Sequence, residues 1–399
     1  MRSLLVRSIL LTALTAIVAA TTANVAADNS RAAYQAQIDE IERRDGTEHI
    51  DLIEPHVGLG FAAKRDLDYA AAAAAFAQAL YLERVHMGLE NADQIPLIEQ
   101  LIECQKAVHD WGATNKSLTL MAWVNERNRE RSRAAYLSTL RKLANWHIHA
   151  SDEDPTVSEY EHLGAALDHI DSALGSAADE NAIETLEWHY LKAGADYRAT
   201  RLFSVEVARD FHQVNAPSYV AFQDFEFGDA IYARNRMTHH YASGIGALKS
   251  ARAIAATTGD ADDFVKATLK LADWHQLFGR TQSSADLYAE ANRLAANAGM
   301  DLSQSHRRLP DFIGQHDQLQ ANTKANRKVR YGHTRFDVDR KGRARNVEIL
   351  EINPPGAQRL GRQARAQLKA TRFRPRFEDQ GPQETTGVEL RFVFPEHRG

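Results

Sequence analysis

The sequence predicts a mainly α protein, a long array of paired helices followed by a small α+β module, and three observations carry that prediction. From Arg31 to about Met300 the chain is rich in Ala, Leu and Glu, poor in Pro, and lacks sustained period-two alternation, the texture of helix after helix. Beyond Met300 the texture turns polar and then strand-like. The charge divides near the same place. Lys324 to Gly399 holds 18 Lys and Arg against 9 Asp and Glu, near +9, so the rest of a chain with net charge −5 carries near −14.

At 399 residues, 44% apolar and 25% charged, the chain has material for two or more soluble domains. Its first residues stand apart. Arg2 and Arg7 supply a positive start, Ile9 to Ala20 a short apolar core, and Val25-Ala26-Ala27 the small residues of a cleavage zone, so residues 1–27 are expected to be a signal peptide cut after Ala27. The apolar run is shorter than the roughly 20 residues of a bilayer span, which disfavours an uncleaved anchor. Export places the mature protein in the periplasm. Cys104 is the single cysteine, so an intramolecular disulfide is excluded, and its place in the apolar pattern of Ile95 to Val108 marks it as a small buried hydrophobe.

The helical domain is expected over 28–302. Its clearest segment runs from Leu59-Gly60 through Asp68-Tyr69 to Ala72, Phe76 and Ala79. Small residues let two helices approach, Phe76 fills the gap between them, and Asp66 to Tyr69 makes the turn. A second such segment has Leu271-Ala272 on one helix, Phe278-Gly279-Arg280 in the turn, and Ser284, Tyr288 and Ala291 in the small, large and small places. Gly244, Leu248 and Ala251 form a weaker third. This pattern resembles the tetratricopeptide repeat, whose antiparallel helix pairs stack into a solenoid with a concave protein-binding groove, although the spacing departs from that family's period of about 34 residues. Between Val108 and Phe227 the texture is helical without a repeat that individual residues define. Arg84 to Gln94 reads as an elaborated turn.

Ser303 to Asn326 is rich in Gln, His and Asn and holds Pro310, so 303–326 is expected to be a polar linker, followed by a domain over 327–399. Within that domain Val329 to Asp339 and Ala344 to Ile352 read as strands joined by the turn Asp339-Arg340-Lys341-Gly342. After Asn353-Pro354-Pro355-Gly356, one face of a helix is marked by Ala357, Leu360, Ala364 and Leu368. Val388, Leu390, Phe392 and Phe394 then alternate with Glu389, Arg391 and Val393, giving a last strand with one buried face.

This order, with Phe336-Asp337-Val338-Asp339 before a Gly turn, the Phe-x-Pro of Phe373 and Pro375, and Gly381-Pro382 before the final strand, resembles the C-terminal domain of TonB-family energy transducers over roughly Val329 to Pro395. The resemblance implies recognition by strand addition, in which Glu384 to Phe394 receives an extended peptide, backbone groups carry affinity, and outward Glu389, Arg391 and Val393 tune it. Two departures argue against energy transduction. No histidine precedes His49, where such transducers carry one in a membrane helix, and the linker lacks their long Pro-rich spacer.

No motif points to catalysis. Gly244-Ile245-Gly246-Ala247-Leu248-Lys249-Ser250 lacks the Gly that a phosphate loop places before Lys-Ser, and there is neither a Gly-x-Ser-x-Gly elbow nor a His-Glu-x-x-His helix. His147 and His149 with Asp152, Glu153 and Asp154, and separately His239-His240, carry metal-ligating atoms but no metal-motif spacing. The expectation is therefore a non-enzymatic periplasmic scaffold or adaptor with no cofactor and no metal. Its partners are envelope proteins or extended peptides, with a second copy of the chain through the last strand as a further option, and nucleic acid is disfavoured. The basic tail is a well-solvated surface or one attracted to envelope polymers, lipid headgroups or acidic proteins. The rival reading is a TonB-like transport component contacting outer-membrane transporters, which requires the N-terminal segment to be kept as an anchor.

Overall fold

The computed structural model describes residues 30–177, 182–214, 227–302, 308–309, 330–378 and 381–394. The signal-peptide segment and most of the polar linker lie outside them. The fold class is mainly α, with tetratricopeptide-like helical hairpins followed by a small α+β module. The chain forms two compact units, Met1–His169 and Ile170–Gly399, whose boundary falls inside one helix.

The first unit contains α1 (30–45), α2 (Ile53–Arg65), α3 (Tyr69–Met87), α4 (Ile95–Ala107), α5 (Trp111–Arg127), α6 (Arg133–Glu153) and the start of α7 (Glu159–Ala177). From α2 to α6 each helix packs against the next in sequence, the nearest-neighbour pattern of a repeat array. The short turns share one geometry. Leu67 and His109 both adopt positive φ, at 62° and 56°. The following Asp68 and Asp110 amides then reach back to the carbonyls of Ala63 and Gln105, each at 3.0 Å. That is the closing bond of a Schellman turn. The same two aspartates begin the next helix, accepting from Ala71 N at 3.1 Å and Ala113 N at 2.9 Å.

Hairpin packing follows the small and large positions of the sequence. Ala72, Phe76 and Ala79 are fully buried. Gly60 lies so close to Phe76 that a Cβ there would sit 2.7 Å from the ring. Gly60→Ala is thus expected to destabilise the protein by about 1–3 kcal/mol despite its better helix propensity. Gly164→Ala, in a helix where a Cβ meets nothing within 4 Å, should instead stabilise by up to ~1 kcal/mol. Opposite shifts in urea midpoint are the check, and equal shifts would refute the close-packing account.

In the second unit α8 (Ala182–Val214), α9 (Phe227–Thr258), α10 (Ala261–Leu277) and α11 (Thr281–Asn297) again pack in sequence order. Gly279, at φ 72°, ends α10, and Arg280 N reaches His275 O at 2.9 Å, the turn already seen at Leu67 and His109. Ser284, Tyr288 and Ala291 are buried as the pattern requires, and so are Leu248 and Ala251. Gly244 lets fully buried Trp274 approach, for a Cβ there would lie 2.2 Å from the indole. The Gly244 to Ser250 run is continuous helix and forms no phosphate loop.

The strands are β1 (Arg308–Leu309), β2 (Arg330–Val338), β3 (Ala344–Asn353), β4 (Arg372–Phe373), β5 (Arg376–Glu378), β6 (Gly381–Gln383) and β7 (Thr385–Phe394), with α12 (Gln358–Ala370) after β3. The main sheet is antiparallel in the order β3-β2-β7. Leu360, Ala364 and Leu368 of α12 pack on its inner face with Phe336, Val338, Phe392 and Phe394. At the β2–β3 turn Gly342 has φ 67°, and the Asp339 carboxylate accepts the amides of Lys341 and Arg343, both at 2.9 Å.

This module belongs to the same compact unit as the helices from Ile170 onward. Arg308 and Leu309, inside the span expected to be linker, pair with β4 as strand β1. Gln276 of α10 donates to Lys341 O at 2.6 Å, and Phe377 packs on Tyr288 at 4.9 Å between ring centres. The centre of this joint is a buried ion pair. Arg374 Nε donates to Asp273 Oδ1 at 2.9 Å and its Nη2 bonds Asp273 Oδ2, while the Tyr288 hydroxyl donates to Asp273 Oδ1 at 2.7 Å. Burial, followed by the Asp273 charge, pushes the Tyr288 phenol far above its ordinary pKa.

Candidate functional site

The sheet has two edge strands, and they are not equivalent. Pairing of β3 with β2 slips between His333 and Thr334, where Leu350 is an extra residue, and again between Arg335 and Asp337, near Asn346 at φ 50°. Such bulges bend an edge and spoil it as a template for pairing. Pairing of β7 is regular from Val388 to Phe394 against Phe336 to Arg330. Its opposite side faces no strand among the described residues. The stretch read as a receiving strand from Glu384 is thus an edge strand beginning at Thr385.

Glu389 and Arg391 are exposed on the outer face of the sheet, as the alternation predicts, and both are already engaged there. Glu389 takes Arg335 Nη2 at 2.9 Å and His333 Nε2 at 3.1 Å. The hydrogen bond from Arg335 holds its carboxyl below the usual range, although desolvation works in the opposite direction. The Arg391 guanidinium lies over the Tyr331 ring at 4.1 Å and 3.7 Å from Glu351 Oε2, while Glu351 Oε1 accepts the Tyr331 hydroxyl at 2.6 Å. Val393 stands opposite Tyr331 in the register. These cross-strand pairs depend on which residues the register brings opposite one another, so they were not readable from one strand alone.

A second candidate lies in the first unit. A groove of about 540 Å³ is lined by Arg31, Gln35, His56, Leu59, Ala75 and Gln78 from α1, α2 and α3. His56 is buried beside it, neither ring nitrogen has a hydrogen-bond partner among the described residues, and burial pushes its pKa down. No sequence signal distinguished His56.

The histidines considered as metal ligands separate. His147 turns inward, where its Nδ1 lies 3.0 Å from His162 Nδ1, and His162 Nε2 is 3.2 Å from Asp154 Oδ2. The Asp154 Oδ1 atom accepts the Thr156 amide at 2.8 Å and hydroxyl at 2.6 Å. Burial opposes ionisation of Asp154, but these bonds outweigh it and leave its pKa lowered. His169 stacks on His147 at 5.6 Å. His149 turns outward toward Glu153, at 3.8 Å. His240 bonds buried Asp196 at 2.9 Å, whereas neighbouring His239 is exposed. Among the described residues no group of three or more His, Cys, Asp and Glu is placed to hold a metal ion. None of the described helices is long and apolar enough to cross a membrane.

No family model and no curated protein matches the chain. Among solved structures it is similar to a Podosopora anserina protein described as a kinesin light chain with nearly identical TPR-like repeats. That pair shares 11% identity with a TM-score of 0.37, covering 63% of this chain and 99% of the other. BtubC from P. vanneervenii is 12% identical with a TM-score of 0.30, covering 69% and 92%. The description of these helices as tetratricopeptide-like rests on their own hairpins and turns.

Proposed function

We propose that the protein is a non-catalytic periplasmic scaffold or adaptor that binds envelope proteins or extended peptides. The observation that carries this reading is the regular edge of β7, which faces no further strand among the described residues. A peptide adding there gains main-chain hydrogen bonds over at least Val388 to Phe394, and side chains on alternate sides of the sheet supply selectivity. The strand order, with the last strand outermost, suits the resemblance to TonB C-terminal domains. The same edge would serve a transport component contacting outer-membrane transporters. The α1–α3 groove is a second, independent contact surface.

The test is site-specific photo-crosslinking in the native envelope from position 389, on the outer face of β7. A partner segment added to that edge yields one discrete adduct, and mass spectrometry maps the crosslink to an extended segment of another envelope protein. Crosslinks only to a second copy of this chain would make β7 a dimer edge. Scattered low-yield adducts would count against any strand-addition role.

A further inference from the structure

The two faces of the C-terminal module handle their charge in opposite ways. On the outer face of the sheet the cations sit against acids, as in Arg335 with Glu389 and Glu348, and Arg391 with Glu351. On the other side, α12 shows solvent Arg359, Arg362, Arg365 and Lys369, all exposed. The helix contains no Asp or Glu. None of these four side chains has an ion pair among the described residues.

At about 100° per residue the four positions fall within about a third of the helix circumference and span roughly 15 Å of its length. They form a broad cationic face. The arrangement works against the helix that carries it. Arg359 and Arg362, Arg362 and Arg365, and Arg365 and Lys369 are like-charged neighbours at spacings of three or four, which repel. Arg359 also lies in the first turn, where the helix dipole disfavours a cation, and the Ala357 cap offers no side-chain hydrogen bond. A helix face that serves only for solubility interleaves both signs. This one retains repulsion that an anionic partner would relieve.

The form of the face identifies the partner. Protein interfaces are built around buried aromatic and apolar anchors, and α12 exposes no large apolar side chain. A planar array of phosphates meets all four cations together, and three of the four are arginines, whose forked donors suit phosphate oxygens. We infer that α12 is a docking face for an anionic phospholipid surface, bound peripherally through Arg359, Arg362, Arg365 and Lys369. This surface lies on the opposite face of the sheet from Glu389 and Arg391 and does not depend on the β7 edge being used.

The experiment is co-sedimentation of the full chain with vesicles of phosphatidylcholine alone or with about a third phosphatidylglycerol, at roughly 0.1 M salt, where the screening length is about 10 Å. Binding is expected only to the anionic vesicles, with release when salt shortens the screening length to about 3 Å. Each neutralised cation should lower the partition coefficient about fivefold. Arg359→Gln with Arg362→Gln then costs roughly 25-fold, and the quadruple glutamine variant abolishes measurable binding. Arg340→Gln with Lys341→Gln, which removes the same charge from the exposed β2–β3 turn, should change the partition less than about twofold, since these side chains lie off the docking face. Equal loss in the two double variants would show a net-charge effect and overturn the assignment. Retained binding by the quadruple variant, equal binding to neutral vesicles, or displacement by polyaspartate at concentrations too low to screen the vesicles would do so as well. All the substituted side chains are exposed, so unchanged circular dichroism serves as the folding control.

Discussion

Arg374→Ala is expected to destabilise the second unit by about 3–5 kcal/mol, because it strands the Asp273 carboxylate in a site from which water is excluded. Asp273 is fully buried and Arg374 is 4% exposed, so neither partner can turn to solvent when the other is removed. The pair is bidentate and the Tyr288 hydroxyl supplies a further donor, which together offset the desolvation of both charges. Urea unfolding followed by tryptophan fluorescence, with buried Trp274 beside the pair, measures the loss. The informative companion is Asp273→Leu with Arg374→Met. Removing both charges leaves no buried ion unpaired, only the Tyr288 hydroxyl without its Asp273 acceptor, and the double variant should recover most of the stability lost in Arg374→Ala. A double variant as unstable as the single one would mean that shape, and not charge pairing, holds the joint.

Acid should destabilise the protein well before its carboxylates titrate. Burial, with the nearby His169 and His162, pushes the His147 pKa down to about 4 from an ordinary 6.5. His56, His169, His189 and His275 are also shifted down, in each case chiefly by burial. The folded pKa lies below the unfolded one, so the unfolded chain takes up the proton first. Stability from these groups is full above pH 6.5, falls as pH drops toward 4, and for His147 levels off below that. The His147 shift alone corresponds to about 3 kcal/mol. Urea midpoints should therefore decline steadily between pH 7 and pH 4.5, and His147→Gln should show a shallower decline. A flat profile over that interval would rule out buried neutral histidines. The lowered pKa of Asp154 acts in the same direction but only at lower pH.

What could be read from the sequence divides along physical lines. Hairpin contacts were legible where they depend on size, since a Gly opposite a Phe, or Ser, Tyr and Ala at helical spacing, states the packing in residue types. The repeat between α4 and α6 was not, because the positions matching Gly60, Ala72, Phe76 and Ala79 hold Ile102, Thr114, Leu118 and Met121, which are buried without the small-large-small contrast. The alternation of β7 correctly placed Glu389 and Arg391 outward. Their partners Arg335, His333 and Glu351 come from other strands and follow from register alone. Least legible was the joint between helices and sheet. Phe373 and Pro375 served as the recognisable signature, while the residue between them, Arg374, pairs with an acid 101 positions away. A charged residue in sequence reads as surface until a structure shows its partner.

That joint also determines how mechanical load would travel. A domain on a free tether of this length would take up small displacements of its ligand entropically, with little force reaching the rest of the chain. Here the β2–β3 turn is held by Gln276, β4 is zipped to β1, and Arg374 is anchored in α10. Tension applied along β7 would pass through the β2 ladder and these fastenings into the last helical hairpin. Whatever pulls on the edge strand would pull on α10 through the Arg374–Asp273 pair and Gln276.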